Sequence, residues 1–530
     1  MPLSRRRRWL VVSIAAACVV FLIVLSGARY FLPPHIIGFV RDRSAQIIKE
    51  RFRADVQFGR FDISLDFPRL IIVGDNMALT RRDRAGLPAL IFVKRFRVDA
   101  NVLEFARTPA HVHIIQLEGM AIHIPPRGPK YPSPQPTFTR QHYPVIVDHL
   151  ECDDCELNIL PRRSDKQPLH FAIHRLSMQN LGLGRSAPYQ ASLTNAVPRG
   201  EIRSTGHFGP WQPDEPSQTA LSGTYQFKHA DLDPLPGISG TLDSAGKFEG
   251  ILERIVADGE TSTPDFALDV TEHPIPLTTQ FHAIIDGTTG DTGLDPVHAQ
   301  FLKTALVATG GVFGLPGKKG KAVLLDVVVY PGRVEDILRL GTKSTRPVMV
   351  GNLRFHTQLA IPPGPEKISE RLKLDGRFLA SQAQPTSPEL QEKMKKLSRR
   401  AQGKPNNQET GSDIFDLQGR FILDRGTARF PALEFTIPGA VLDLAGQYGL
   451  HSQALDFQGD LRLRAKLSQT TTGFKSLILK VVDPFFSGKN GGAVLPIKIT
   501  GTRAHPKFGL GHHRPREKKK QPEFRAERMP

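Results

Sequence analysis

Few residues in this chain are spaced for chemistry. Cys152-Asp153-Asp154-Cys155 is a CxxC. Thiols at that spacing serve either as half of a four-ligand zinc set or as a redox pair. The chain holds only 3 cysteines, and the third, Cys18, lies in an apolar run, so no second pair completes a zinc site. Thioredoxin-like chemistry needs a βαβ setting, which the flanking sequence lacks. A local disulfide or two unpaired thiols in an oxidising compartment both remain open. His111, His113 and His123 share one strand-like stretch with no neighbouring acid at useful spacing. Asp286-Gly287-Thr288-Thr289-Gly290-Asp291 reads as a turn and lacks the full calcium-loop pattern ending in Glu. Gly317-Lys318 is not a P-loop, because Val312 stands where the first Gly must be and Lys319 replaces Ser/Thr. There is no G-x-S-x-G, no H-E-x-x-H and no dinucleotide fingerprint, and no pair of carboxylates stands out for acid–base work. The sequence reads as a non-enzyme with no catalytic residue, metal or cofactor.

What the sequence does specify is a surface. Phe61, Ile63 and Leu65 alternate with Arg60, Asp62, Ser64 and Asp66, the pattern of a strand with one apolar and one wet face. Further strands are expected at 69–81, 89–105 and 111–124. The proline-rich stretch 125–144 reads as a loop or linker. Strands resume near 145–160, 169–178, 190–195, 200–208, 221–231, 240–258, 265–270 and 277–286. After 320 the alternation is cleaner. Leu353 and Phe355 sit opposite Arg354 and His356, and Leu372 and Leu374 sit opposite Arg371 and Lys373. Along 455–467, Phe457, Leu461 and Leu463 alternate with Gln458, Arg462 and Arg464, a strand of roughly 40 Å at about 3.3 Å per residue. Short helices are expected at 333–340, at 387–402 with Leu390, Met394 and Leu397 on one face, and at 473–482.

The longest apolar run is Trp9 to Ala28, directly after Arg5-Arg6-Arg7-Arg8. At about 1.5 Å per residue it spans roughly 30 Å, a bilayer core. Trp9, Leu10, Val20, Phe21 and Leu25 belong to this expected membrane anchor. The arginines place its N-terminal end in the cytoplasm. Ser26-Gly27-Ala28 would also suit a signal-peptide cleavage site, but a usual h-region is shorter, about 7–15 residues. Residues 34–53 read as a short amphipathic helix next to the membrane. Net charge is +18, of which the Arg run at 5–8 and residues 511–530 contribute +8. Nucleic acid is not an expected partner across a membrane.

The layout expected is a basic segment at 1–8, a transmembrane helix at 9–28, helix and strands at 29–124 and the loop at 125–144. A middle β region at 145–320, a C-terminal β region with helices at 321–510 and a disordered basic tail at 511–530 complete it. The fold class is mainly β, with about 25 strands in an elongated antiparallel sheet. Because open sheets beyond about ten strands curl, split or flatten, a curled gutter with an apolar lining is expected. Phe61, Ile63, Leu65, Leu353, Phe355, Leu372, Leu374, Phe457, Leu461 and Leu463 are its candidate lipid-facing residues.

At this point the chain resembles the AsmA-like proteins of double-membraned bacteria. The resemblance rests on GTYQFKHADL (223–232), GETSTPDF (259–266), GRVEDILRL (332–340), LSRRAQG (397–403), TTGFKSLILKVVDPFF (471–486) and VLPIKITGTRAHPKFGL (494–510). It implies an inner-membrane anchor, a periplasmic β-groove that carries phospholipid, and a part in outer-membrane lipid homeostasis. It also implies an alternative, a scaffold or assembly factor for outer-membrane proteins or another periplasmic partner. About 25 strands at roughly 4.8 Å give about 120 Å, short for a bridge across the periplasm by one chain.

Overall fold

A computed structural model describes residues 55–80, 88–107, 109–124, 145–160, 169–182, 184–212, 216–269, 271, 273–341, 346–407, 409, 411–465, 493–502 and 505–510. The expected anchor at 9–28, the helices at 34–53 and 473–482, the loop at 125–144 and the tail at 511–530 lie outside these residues. Among the described residues no helix is long and apolar enough to cross a membrane.

Among the described residues the fold is mainly β: 25 strands in one sheet, with a few short helices. It divides into two compact units. The first takes the described residues up to Leu235 with Ser239–Pro264 and Thr278–Asp295. The second takes Pro236–Ile238, Asp265–Leu277 and the described residues from Pro296 onward. The free edge of the first unit is Asp55–Gln57 and Phe61–Asp66, both paired with Arg69–Thr80, and that of the second is Pro506–Leu510, each paired on one side. Among the described residues neither unit closes into a ring of strands. The sheet is open, and the curled gutter expected from strand number is not what the pairing shows.

Nor is the sheet wholly antiparallel. Ala110–Ile124 and Val145–Ile159 pair in parallel along their whole length. A parallel neighbour needs a crossover of a dozen or more residues, whereas antiparallel strands need only a hairpin. The 20 residues of 125–144 supply that length.

Several expected boundaries move. The stretch 89–105 ends as a strand at Asn101, whose side chain accepts from the Leu103 N–H at 2.9 Å and caps a helical turn, Val102–Phe105. The stretch 240–258 is broken at Leu252-Glu253 into the hairpin Thr241–Ile251 and Arg254–Leu268. The strand expected over 455–467 is Ala454–Leu463. It stops where the Ala465 N–H turns aside to the Ala401 carbonyl at 3.0 Å. Asp291–Phe301 and Thr304–Gly314 carry no sustained apolar alternation and are strands the sequence did not announce.

A transverse kink crosses the first unit. Asn76, Gly119 and Asp154 have φ of 49°, 63° and 52°. Gly119 and Asp154 are opposite positions of the parallel pair, since Glu118 faces Asp153 and Ala121 faces Glu156. Asn76 falls on the same line through the intervening strand, where Asp75 faces Arg95, Met77 faces Val93 and Val93 faces Met120. One left-handed residue in a strand resets which way the next side chains point; Asn, Asp and Gly tolerate that region best. Residues three apart across the line therefore share a face. Cys152 and Cys155, on either side of Asp154, are both buried, at 0% and 3% exposure. The two cysteines form a disulfide. Strict alternation would have put them on opposite faces.

Candidate functional site

In the second unit, register aligns the apolar positions of successive strands into rows. Leu325, Leu359, Leu374 and Leu423 form one row across four strands. Leu353, Ala380, Leu417, Phe435, Leu442, Leu461 and Leu495 form another across seven. Opposed side chains lie close enough to pack, so each row is a continuous apolar ridge. Close ring approach over glycine smooths it further. Phe355 and Phe421 stack with centroids 5.4 Å apart, and a Cβ on Gly376 would come 2.8 Å from the Phe421 ring.

The rows differ in cover. Helix Val334–Gly341 and helix Pro388–Ala401 close one part of the face, where Leu353, Met394, Ala401, Phe415 and Leu463 form a buried cluster. Phe355 and Leu461 pack against that cluster. Away from it, Leu359, Leu374, Leu433, Leu444, Ile497 and Ile499 stay half-exposed.

The expected lining residues thus separate. Leu353, Phe457 and Leu463 are buried core. Phe355, Leu374 and Leu461 are half-buried on the apolar face. Leu372 precedes strand Lys373–Pro385, and its N–H closes the turn Ile368–Arg371 onto the Ile368 carbonyl at 2.8 Å. Phe61, Ile63 and Leu65 do share one face, as the alternation implied, with Asp62, Ser64 and Asp66 exposed. They pack onto the first unit's core of Leu70, Ile72, Val93, Phe96 and Cys152. Phe61 and Phe58 rings sit 5.0 Å apart.

Further along the first unit the same face changes character. The Tyr189 hydroxyl lies 3.0 Å from Ser204 Oγ, which donates to the Thr224 carbonyl. The Tyr225 hydroxyl lies 3.1 Å from Ser244 Oγ, which donates to the Glu260 carbonyl. Burial pushes both phenols above their ordinary value, with their serine partners opposing the shift. A Cβ on Gly259 would meet the Tyr225 hydroxyl at 2.7 Å, so glycine is required beneath that ring.

The opposite face carries paired charges. Arg420 forks onto Asp375 through Nε at 3.1 Å and Nη2 at 2.8 Å, and this hydrogen bonding holds the Asp375 carboxyl below its usual range. His282 Nδ1 lies 2.7 Å from Asp258 and lowers it likewise. The first unit's polar face also holds an open cleft of about 600 Å³, edged by Arg60, Arg95, Arg97, Glu118, Glu151 and Asp153. His111 and His113, read from the sequence as lacking acids, are brought to Asp148 of the parallel strand. His113 Nδ1 lies 3.3 Å from Asp148 Oδ2 and its Nε2 3.4 Å from Glu104. No group of His, Cys, Asp or Glu among the described residues is arranged to hold a metal ion.

The sequence motifs of the second unit resolve into structural clamps. Buried Asp336 accepts from the Lys303 N–H at 3.0 Å and the Thr304 hydroxyl at 2.7 Å. Glu335 accepts from Arg333 Nε at 2.8 Å and the Gly351 N–H at 3.1 Å. Burial raises the Glu335 carboxyl, but these bonds and one from its own backbone outweigh it and hold the group below its ordinary value. Fully buried Ser398 donates to the Pro438 carbonyl at 2.9 Å. This close seat centres the buried face on Met394, Ser398 and Ala401, while Leu390 and Leu397 lie along the flank of that face and stay partly exposed.

Comparison with family models, curated proteins and solved structures finds no match.

Proposed function

We propose that this chain handles phospholipid on the apolar face of its sheet, without catalysing a reaction. In this reading residues 9–28 anchor it in the inner membrane of a double-membraned bacterium. The sheet stands in the periplasm, and the protein contributes to outer-membrane lipid homeostasis as AsmA-like proteins do. The observation that carries the reading is the part-exposed apolar residues that register sets opposite one another, Leu359 with Leu374 and Leu433 with Leu444. A dry structural face would be covered to the density of a protein interior. Here part-exposed leucines, flanked by the buried Leu423 at the end of their row, adjoin a cluster that two helices cover, and acyl chains match such a surface in chemistry.

The test is the lipid content of the full chain purified without detergent, read by mass spectrometry. Leu359→Asp plus Leu374→Asp should leave a folded protein that retains less phospholipid, because a charge on that surface repels acyl chains. A folded double variant with undiminished lipid would defeat the reading. A lipid-free wild-type protein that co-purifies with outer-membrane proteins would favour the assembly role. The short free edge at Pro506–Leu510 is the feature suited to that role.

A further inference from the structure

One exposed flank of helix Pro388–Ala401 is not explained by the apolar rows. Leu390 and Leu397 are 45% and 38% exposed, although the helix has a buried face of its own at Met394, Ser398 and Ala401. They are two turns apart and so stack on one stripe. Lys393 and Arg400 each follow one of these leucines by three residues and form a parallel basic stripe, with Lys396 beside it. From Pro388 to Lys404 the chain carries six Lys or Arg against two Glu. Lys393 is paired with Glu389, and Lys395 with Glu392 and Asp413. The side chains of Lys396, Arg400 and Lys404 form no ion pair among the described residues and are exposed.

We propose that this helix docks on an anionic lipid surface, its leucines entering the headgroup boundary and Lys396, Arg400 and Lys404 meeting lipid phosphates. An apolar stripe bordered by Lys and Arg is the arrangement of a helix lying in a membrane interface. Anionic headgroups complement the surplus cations, whereas a second copy of the same basic face would repel it. The proposal goes beyond lipid carriage along the sheet and stands without it.

The experiment uses the full chain in nanodiscs of neutral phosphatidylcholine, mixed with sedimentable vesicles. One set of vesicles is phosphatidylcholine alone and the other contains phosphatidylglycerol. Nanodiscs bearing the chain should sediment only with the anionic vesicles, and less so as salt rises. Each Lys or Arg near an anionic surface contributes about 1 kcal/mol, so Lys396→Gln plus Arg400→Gln should weaken capture roughly 30-fold. Leu390→Ser plus Leu397→Ser should also weaken it, and circular dichroism confirms that either variant is folded. Equal capture by neutral vesicles would overturn the proposal. So would capture that survives both variants but disappears when residues 511–530 are removed, which assigns it to the basic tail. Sedimentation of discs with one another, abolished by the leucine variant and indifferent to vesicles, would assign the face to a second copy instead. Retained lipid is measured separately, so failure here does not touch the reading of the sheet.

Discussion

The two units put the same period-two alternation to different uses. In the first, the N-terminal strands drive their apolar side chains into a core whose members are almost wholly buried, Leu70 and Cys152 at 0%. The kink at Asn76, Gly119 and Asp154 makes this possible by bringing residues from both sides of the bend onto one face. In the second, two helices cover one buried cluster, while Leu359, Leu374, Leu433 and Leu444 stay part-exposed. The comparison teaches that an apolar sheet face is not by itself a site. What distinguishes a candidate site is alternation left without cover.

The largest effect should come from truncating the closed core. Leu70→Ala removes a fully buried side chain and should cost about 3 kcal/mol, whereas Leu359→Ala at a part-exposed position should cost about 1 kcal/mol. Denaturation followed by hydrogen exchange in each unit reads both. Equal losses would erase the distinction between covered and uncovered faces.

Removing the cystine comes next. Cys152→Ala plus Cys155→Ala opens a very short loop, for which chain entropy gives about 2 kcal/mol. Protection should fall in the first unit alone, with retained lipid unchanged. Loss of lipid in a folded double variant would show that the kink region takes part in binding.

Acid should act on the second unit's helix clamp. Glu335 is held below its ordinary value, so the stability it adds is present above its unfolded pKa and fades as pH falls through the lower folded value. Glu335→Gln should remove that acid-dependent step, at a cost on the order of 1 kcal/mol near neutrality. An unchanged pH profile of unfolding in the second unit would mean the clamp does not set its acid limit.

Arg462→Leu should do least. Arg462 bonds Asp443 on the exposed face, beside the cross-strand pair Asp443 and Asp460. Loss of this solvated pair is worth under about 1 kcal/mol. A large loss of stability or lipid would reveal that the polar face is more than a solvated surface.

How far the sequence carries can be read from particular residues. It determined that Phe61, Ile63 and Leu65 share a face, that Leu353 and Phe355 lie opposite Arg354 and His356, and that helices follow Arg333 and Ser387. These are local facts: side-chain direction alternates along a strand and recurs every 3.6 residues along a helix, whatever lies elsewhere. Tertiary structure alone decided the parallel pairing of Ala110–Ile124, because a neighbour is chosen across space and not along the chain. It alone joined Cys152 to Cys155, since one left-handed residue between them cancels the alternation that the sequence displays. It also separated Leu463, packed beneath a helix, from the part-exposed Leu374, two leucines with the same pattern around them. Alternation fixes which way a side chain points, but only the elements opposite it decide whether anything is there to meet it.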